Sequence, residues 1–327
     1  MLQLERLSAQ YRFSIDVLDE LHKIYGDELE AVVKALKSPS RHYSIRTNTT
    51  KTTVADLQRK FRKKGWQTHR DPSVDEALFF ETQGPNDIPC FEKKIIVDKF
   101  TAESALQGAN IYAPGIKQCS GIHYGDNVTI LDEHEEIVGS GRAKMSENEI
   151  LTFRKGLAVE LSYPIYHLPK LREMEEYNQG LFYPQSLPAM VTTRVLDPKP
   201  DETIIDLTCS PGGKLSHICQ LTQGKANIIG FDRNHRKISL ARENLHRLGF
   251  DANLIIRDSR YLNIDFPHLK ADKCLVDPPC SALGVKPKTY EFATREKISA
   301  LSQYQQQFLT AASKILRENG VVVYSVC

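Results

Sequence analysis

The sequence predicts an α/β protein: a doubly wound parallel sheet in the carboxyl-terminal half, a small β-rich barrel before it, and a helical region at the start. Three observations carry this expectation. Beyond residue 200, short apolar runs alternate with helical segments: TIIDLT, NIIGFD, NLIIRD, DKCLVD and VVVYSV read as strands, and HRKISLARENLHRLG as a helix. Strand and helix in that order fold as parallel units with helices on both faces. From about 93 to 165, short strand-like stretches alternate with glycine turns instead: KIIVDKF, ALQGANIYAPGI and GDNVTILDEHEEIVGSGRA. That texture suits a small barrel or sandwich. Residues 1 to about 40 read helical, because VLDELHKIYGDELEAVVKAL spaces its apolar residues for one helix face.

Between the helical start and the barrel, a break at SPSRHYS leads to a strand, SIRTNTT, and an amphipathic helix, VADLQRKFRKKGW. That helix carries Arg59, Lys60, Arg62, Lys63 and Lys64. A solvated face is the simpler account of these cations, and an RNA-facing patch the sharper one. The changes of texture divide the chain at 1–92, 93–166 and 167–327, matching the two or three domains its length allows. Apolar content of 41% supports real cores, and 26% charged residues is ordinary for a soluble protein. A net charge of +2 excludes a global polycation, so nucleic-acid binding would need a local basic patch. The seven cysteines are odd in number and form no CxxC pair, which argues against a zinc site or a disulfide framework. Reduced thiols suit a cytoplasmic location. The start lacks a signal-peptide pattern, and no apolar run nears the roughly 20 residues of a membrane span.

DLTCSPGGKLSHI, Asp206 to Ile218, ends a strand, turns on Pro-Gly-Gly and opens a helix. Glycines there let the backbone approach a ligand closely. Neither G-x-G-x-x-G nor G-x-x-x-x-G-K-[ST] is present, so a nucleoside cofactor without a pyrophosphate is expected. The second strand ends at Asp232, 26 residues after Asp206, where a carboxylate can meet both ribose hydroxyls. Asp258, after the third strand, is suited to an adenine amino group. VDPPCSALG then follows the fourth strand: Asp277 leaves it, Pro278 and Pro279 stiffen the loop, and Cys280 stands over the crevice. A buried cysteine is usually inert packing, but Cys327 on the neighbouring fifth strand supplies a second thiol.

Two thiols over one cofactor pocket suit methylation at a ring carbon. Carbon 5 of a pyrimidine is a poor nucleophile until a thiolate adds to carbon 6. An acid must then hydrogen-bond the ring nitrogen and amino group, a place for Asp277, and a base must remove the carbon 5 proton before elimination.

These residues together resemble the NOL/Sun-type RNA cytosine-5 methyltransferases. DLTCSPGGK matches the family's cofactor loop, VDPPCSALG its Pro-Cys motif, and YSVC its Thr-Cys motif, with Val326 in place of the threonine. RTNT, Arg46 to Thr49, matches the family's Arg-x-Asn signature, and 93–165 resembles a PUA domain. That combination points to the sixth subfamily, which acts near the acceptor end of certain transfer RNAs. The resemblance implies a Rossmann-like methyltransferase fold and S-adenosylmethionine held by Thr208, Cys209, Ser210, Pro211, Gly212, Gly213 and Lys214 with Asp232, Asp258 and Asp277. It further implies Cys327 as the nucleophile, Cys280 as the releasing residue, and Lys214 as a group that orients the base or its catalytic neighbours. Tyr112 and Arg46 would contact RNA, Tyr112 at the unpaired CCA end, where stacking and base flipping are expected. The acidic DEHEEIV, Asp132 to Val138, departs from a basic gripping loop. Ribosomal RNA as substrate and a non-catalytic RNA-binding role remain as alternatives. Sheets of this class add an antiparallel hairpin after the fifth strand, and none follows Cys327. The expectation is therefore a fragment or half of a split protein, with the missing segment or a partner chain covering an apolar edge.

Overall fold

The computed structural model describes residues 2–327. Helices α1 (Leu2–Tyr11), α2 (Ile15–Tyr25) and α3 (Leu29–Lys37) come first. The Ser14 hydroxyl accepts from the Val17 amide and so begins α2, satisfying a donor that the helix itself cannot. Next come β1 (His42–Thr47), α4 (Val54–Lys63), β2 (His69–Arg70) and β3 (Ala77–Glu81). In α4, Leu57 and Phe61 lie four apart and are buried, while Arg59, Lys60, Arg62 and Lys63 face solvent.

The β-rich stretch holds β4 (Lys94–Val97), α5 (Lys99–Ala105), β5 (Ile111–Tyr112), β6 (Ile116–Cys119), β7 (Asn127–Leu131), β8 (Ile137–Ala143), α6 (Glu147–Phe153) and β9 (Leu157–Pro164). Its six strands run β5-β9-β8-β7-β4-β6 around a core that includes Ile95, Val128, Ile130 and Val159. Two sequence expectations need correction here. KIIVDKF is extended only to Val97, because the Asp98 carboxylate accepts from the Thr101 amide and starts α5. ALQGANIYAPGI is mostly turn, with only Ile111–Tyr112 and the final Ile116 in strands.

Helix α7 (Glu175–Asn178), β10 (Phe182–Pro184) and α8 (Leu187–Leu196) lead into the alternating half. It comprises β11 (Thr203–Asp206), α9 (Gly213–Leu221), β12 (Asn227–Asp232), α10 (His235–Leu248), β13 (Asn253–Ile256), α11 (Leu262–Asp265), β14 (Ala271–Val276), α12 (Arg295–Ile315) and β15 (Leu316–Tyr324). All neighbouring strands of this sheet pair in parallel, in the order β13-β12-β11-β14-β15. The strand order therefore reverses between β11 and β14, which opens a crevice at their carboxyl ends. Alternate residues of each strand feed opposite faces: Ile204 packs with Leu215 and Ile218 of α9, and Ile205 with Phe308, Ala311, Ala312 and Ile315 of α12. A second sheet, β10-β1-β3-β2, surrounds Ile45, Phe61, Phe80 and Phe182.

Two compact units arise from interleaved segments. One comprises residues up to Arg41, Glu81–Lys170 and Leu283–Arg295; the other comprises His42–Phe80, Leu171–Ala282 and Glu296–Cys327. The second unit holds the four-stranded sheet and the parallel sheet. Among the described residues no helix is long and apolar enough to cross a membrane, and no cluster of metal-binding side chains occurs.

Candidate active site

The parallel strands deliver acids to one end of the sheet: Asp206 ends β11, Asp232 ends β12, Asp258 follows β13, and Asp277 follows β14. A cavity of about 500 Å³ lies there, within the usual range for small-molecule sites. Thr208, Ser210, Asp232, Asp258 and Asp277 line it, and Cys280 and Cys327 share the wall. The first loop is braced from below. Asp206 Oδ1 accepts from the Thr208 amide at 3.0 Å, and the Thr208 hydroxyl accepts from the Asp277 amide at 3.1 Å. Gly212 precedes α9 with φ +97°, and a Cβ on Gly213 would stand 2.9 Å from the Tyr183 ring. These glycines answer to backbone shape and packing rather than to the cavity, which neither they nor Pro211 line.

Lys214 extends from the first turn of α9 to place Nζ 2.6 Å from Asp277 Oδ2, and the Ser325 hydroxyl donates to Asp277 Oδ1 at 3.1 Å. Both carboxylate oxygens are thus held between the first turn of α9 and the end of β15. The Ala282 amide donates to Cys280 Sγ at 3.3 Å. Burial pushes the Cys327 thiol up, with Cys280 and Asp277 adding to the effect and Lys214 opposing it. Asp206, with almost no exposed surface, is pushed up to about 7, first by burial and then by Asp277, against the Thr208 amide. Asp258 is held below the usual carboxylate range by the Arg260 fork, Nε to Oδ1 at 2.9 Å and Nη2 to Oδ2 at 2.5 Å.

Two residues expected to meet ligands do not present their side chains to one. Arg46 has no exposed surface; it is bonded inside the unit that contains the parallel sheet, so the expected RNA contact is corrected to an internal one. Cys209 is buried with its sulfur packed against Gly230, and burial pushes its thiol up, as befits an inert packing group. Tyr112 is 54% exposed on the β4–β9 module. Two residues beside the site carry no signature in sequence: Gln305, whose amide donates to the Pro279 carbonyl at 2.9 Å and accepts from the Tyr324 hydroxyl at 2.7 Å, and Tyr304, 4.6 Å beneath the Arg260 guanidinium. Ser325 could have been noticed from its place beside the terminal thiol.

A doubly wound sheet with a glycine turn, acidic strand tips and no phosphate-binding loop is the frame of a Rossmann-like methyltransferase. The comparisons with known proteins agree. Residues 193–327 match the 16S rRNA methyltransferase RsmB/F family, 93–163 the PUA domain, and 17–87 the RsmF/B-like ferredoxin-like domain. A tRNA (cytosine(72)-C(5))-methyltransferase of Pyrococcus horikoshii is 43% identical over 319 residues, covering 95% of this chain and 81% of that protein. The tRNA (cytosine(72)-C(5))-methyltransferase NSUN6 of Homo sapiens is 26% identical over 339 residues, covering 92% and 72% respectively. The crystal structure of NSun6 from Pyrococcus horikoshii with SFG superposes with a TM-score of 0.87 at 41% identity, covering 97% of this chain and 84% of that one. The chain belongs to the NOL/Sun-type RNA (cytosine-5) methyltransferases, in the branch that carries a PUA domain.

Proposed function

We propose that this protein methylates carbon 5 of a cytosine near the acceptor end of transfer RNA, in the cytoplasm, with S-adenosylmethionine as methyl donor. The observation that carries the proposal is the meeting of two thiols, Cys280 and Cys327, with Asp277 around one cavity, Asp277 being paired with Lys214. The named activities of the relatives support the substrate class, and the relative solved with SFG supports the cofactor. The residues present suit such a cofactor: the cavity is large enough for a nucleoside, its loop lacks a pyrophosphate fingerprint, and Asp232 offers a carboxylate to a ribose. Bound along Thr208, Ser210, Asp232 and Asp258, S-adenosylmethionine supplies an electrophilic methyl group.

In this proposal the Cys327 thiolate adds to carbon 6, forming an S–C6 bond and turning carbon 5 into a nucleophile. Asp277, with its Lys214 partner, hydrogen-bonds the ring nitrogen and amino group as charge develops there. After carbon 5 has gained its methyl group, a base removes the carbon 5 proton; the electrons restore the C5–C6 double bond and the S–C6 bond breaks. Cys280 assists this release. Tyr112 and the PUA module, with the boundaries 93–166, hold the unpaired end by stacking.

The test incubates the intact protein with labelled S-adenosylmethionine and either transfer RNA transcripts or ribosomal RNA fragments. Label should appear at a cytosine of the transfer RNA and vanish in Cys327→Ala. Unchanged labelling by that variant would sink the mechanism. Cys280→Ala should accumulate a covalent protein–RNA adduct, and its absence would mean the two thiols have exchanged roles.

A further inference from the structure

Strand β1 pairs in the four-stranded sheet, yet its last residues bond to helices of the parallel sheet. Arg46 Nη1 donates to the Gly213 carbonyl at 2.7 Å and to Gln185 Oε1 at 2.6 Å. Its Nη2 donates to the Ser216 hydroxyl at 2.7 Å. The Tyr183 ring, which abuts Gly213, also lies 5.6 Å from the guanidinium carbon. The Thr47 carbonyl accepts from Gln220 of α9 at 3.0 Å. Asn48 then donates to the carbonyls of Leu248, at the end of α10, and Gly180, at 2.8 and 2.9 Å. The Arg-x-Asn signature is therefore a joint between β1 and the two helices beside the cofactor loop.

No carboxylate pairs with Arg46 among the described residues, although it is fully buried. Burying a guanidinium on neutral partners is an expensive way to join two elements; apolar packing does it more simply. What the guanidinium gives in return is direction. Its bonds end on Gly213 and Ser216, the residues that bracket Lys214, and Lys214 ends 2.6 Å from Asp277. A fork with fixed donors sets both the place and the rotation of that first turn.

We infer that Arg46 is a positioning residue of the methyl-transfer site, fixing the first turn of α9 so that Lys214 meets Asp277. The inference rests on the assignment of Lys214 and Asp277 to the reacting centre.

The experiment compares wild type, Arg46→Met, Arg46→Lys, Lys214→Met and the Arg46→Met/Lys214→Met double variant. Methyl transfer is measured as kcat and KM for transfer RNA at saturating S-adenosylmethionine, and backbone amide exchange is followed across residues 209–217. Arg46→Met should lower kcat roughly 10- to 100-fold, the scale of a misplaced catalytic group, with KM for the RNA unchanged. Its amides at Lys214 to Ser216 should exchange faster, whereas those of Lys214→Met should not. Arg46→Lys should fall between, and the double variant should be no slower than the slower single variant, because both act through one group. A fall in melting temperature with kcat intact would overturn the inference, as would a rise in KM for the RNA with kcat intact. A kcat loss that adds to that of Lys214→Met would overturn it too. Should Arg46→Met not fold, Arg46→Lys is judged by the same criteria. A wild type that methylates no RNA would defeat the proposed function, and the exchange data would still decide Arg46: unaltered protection of the first turn of α9 would refute its role.

Discussion

Asp206 and His217 are both buried in the unit that holds the parallel sheet, and they titrate in opposite senses. Burial pushes Asp206 from its ordinary 3.8 up to about 7. Its folded form therefore prefers the proton: the group favours the fold below about pH 4, and this benefit is lost as pH rises through 7. Burial holds His217 down from 6.5 to about 4, although Glu76 accepts from it at 2.7 Å. Its folded form prefers neutrality, so that benefit is present above pH 6.5 and lost as pH falls toward 4. The two displacements are opposite in sign, so they oppose one another between pH 4 and 6.5. Asp206→Asn removes one of them. Its unfolding midpoint in urea should fall more steeply than the wild-type midpoint as pH drops across that window. A variant profile parallel to wild type would refute the assignment. The Cys327 thiol gives a second pH prediction. Because Lys214 favours the thiolate, against Cys280 and Asp277, Lys214→Met should move the alkaline rise of single-turnover methyl transfer to higher pH, and an unmoved rise would separate Lys214 from the thiol. At this scale the sequence is legible where a residue's setting is local. Acids at strand tips and a cysteine after Pro-Pro sit where strand periodicity puts them. Arg46 was not legible, because its burial depends on Gln185 and Gly213, both well over a hundred residues away in sequence.

Among elements, α12 shows how a helix with no motif shapes the site. Its inner stripe of Phe308, Ala311, Ala312 and Ile315 is plain from spacing, and it covers one face of the parallel sheet. Gln305 lies one turn earlier, inside a polar run that offers no reason to prefer one glutamine over another. Only the folded helix shows that its amide joins the Pro279 carbonyl, next to Cys280, to the Tyr324 hydroxyl, three residues before Cys327. Gln305→Leu removes both bonds and should lower stability by about 1–2 kcal/mol. It should also reduce kcat about tenfold through looser spacing of the thiols, while calorimetric S-adenosylmethionine affinity holds. Tyr324→Phe, which removes one of the two bonds, should show a smaller loss of the same kind. Wild-type kcat in both variants would mean that the thiols are spaced by the strand and loop alone. The strands were legible in the parallel sheet because each carries a short apolar run, which the inner strands β11, β12 and β14 bury on both faces. They were less so in the β4–β9 module, where Asp98 starts a helix and Gly108 a turn within apolar stretches.

On the scale of the whole chain, texture along the sequence cannot show that residues 283–295, a short stretch after Cys280, belong with β4–β9 and the N-terminal helices. Ion pairs and backbone bonds both hold them there. Lys288, 3% exposed, lies 3.4 Å from Glu103 of α5, and Lys99 lies 2.6 Å from Glu291. The Lys288 amide also donates to the Leu36 carbonyl at 2.8 Å, and the Glu291 amide to the Arg12 carbonyl at 2.9 Å. The apolar core of the barrel, by contrast, lies wholly between Ile95 and Leu161. An excised module of residues 89–168 should therefore fold cooperatively without that stretch. Glu103 then has opposite meanings in the two settings. In the full chain, Glu103→Ala leaves Lys288 buried without its partner, which should destabilise the barrel unit by about 3–5 kcal/mol. In the excised module there is no Lys288 for Glu103 to pair with. The same substitution should there be neutral or stabilising. Urea unfolding of the module by circular dichroism, and amide exchange in β7–β9 of the full chain, give the two free energies. Equal losses in both would show that Glu103 serves the barrel itself, and that residues 283–295 do not depend on the Lys288–Glu103 pair.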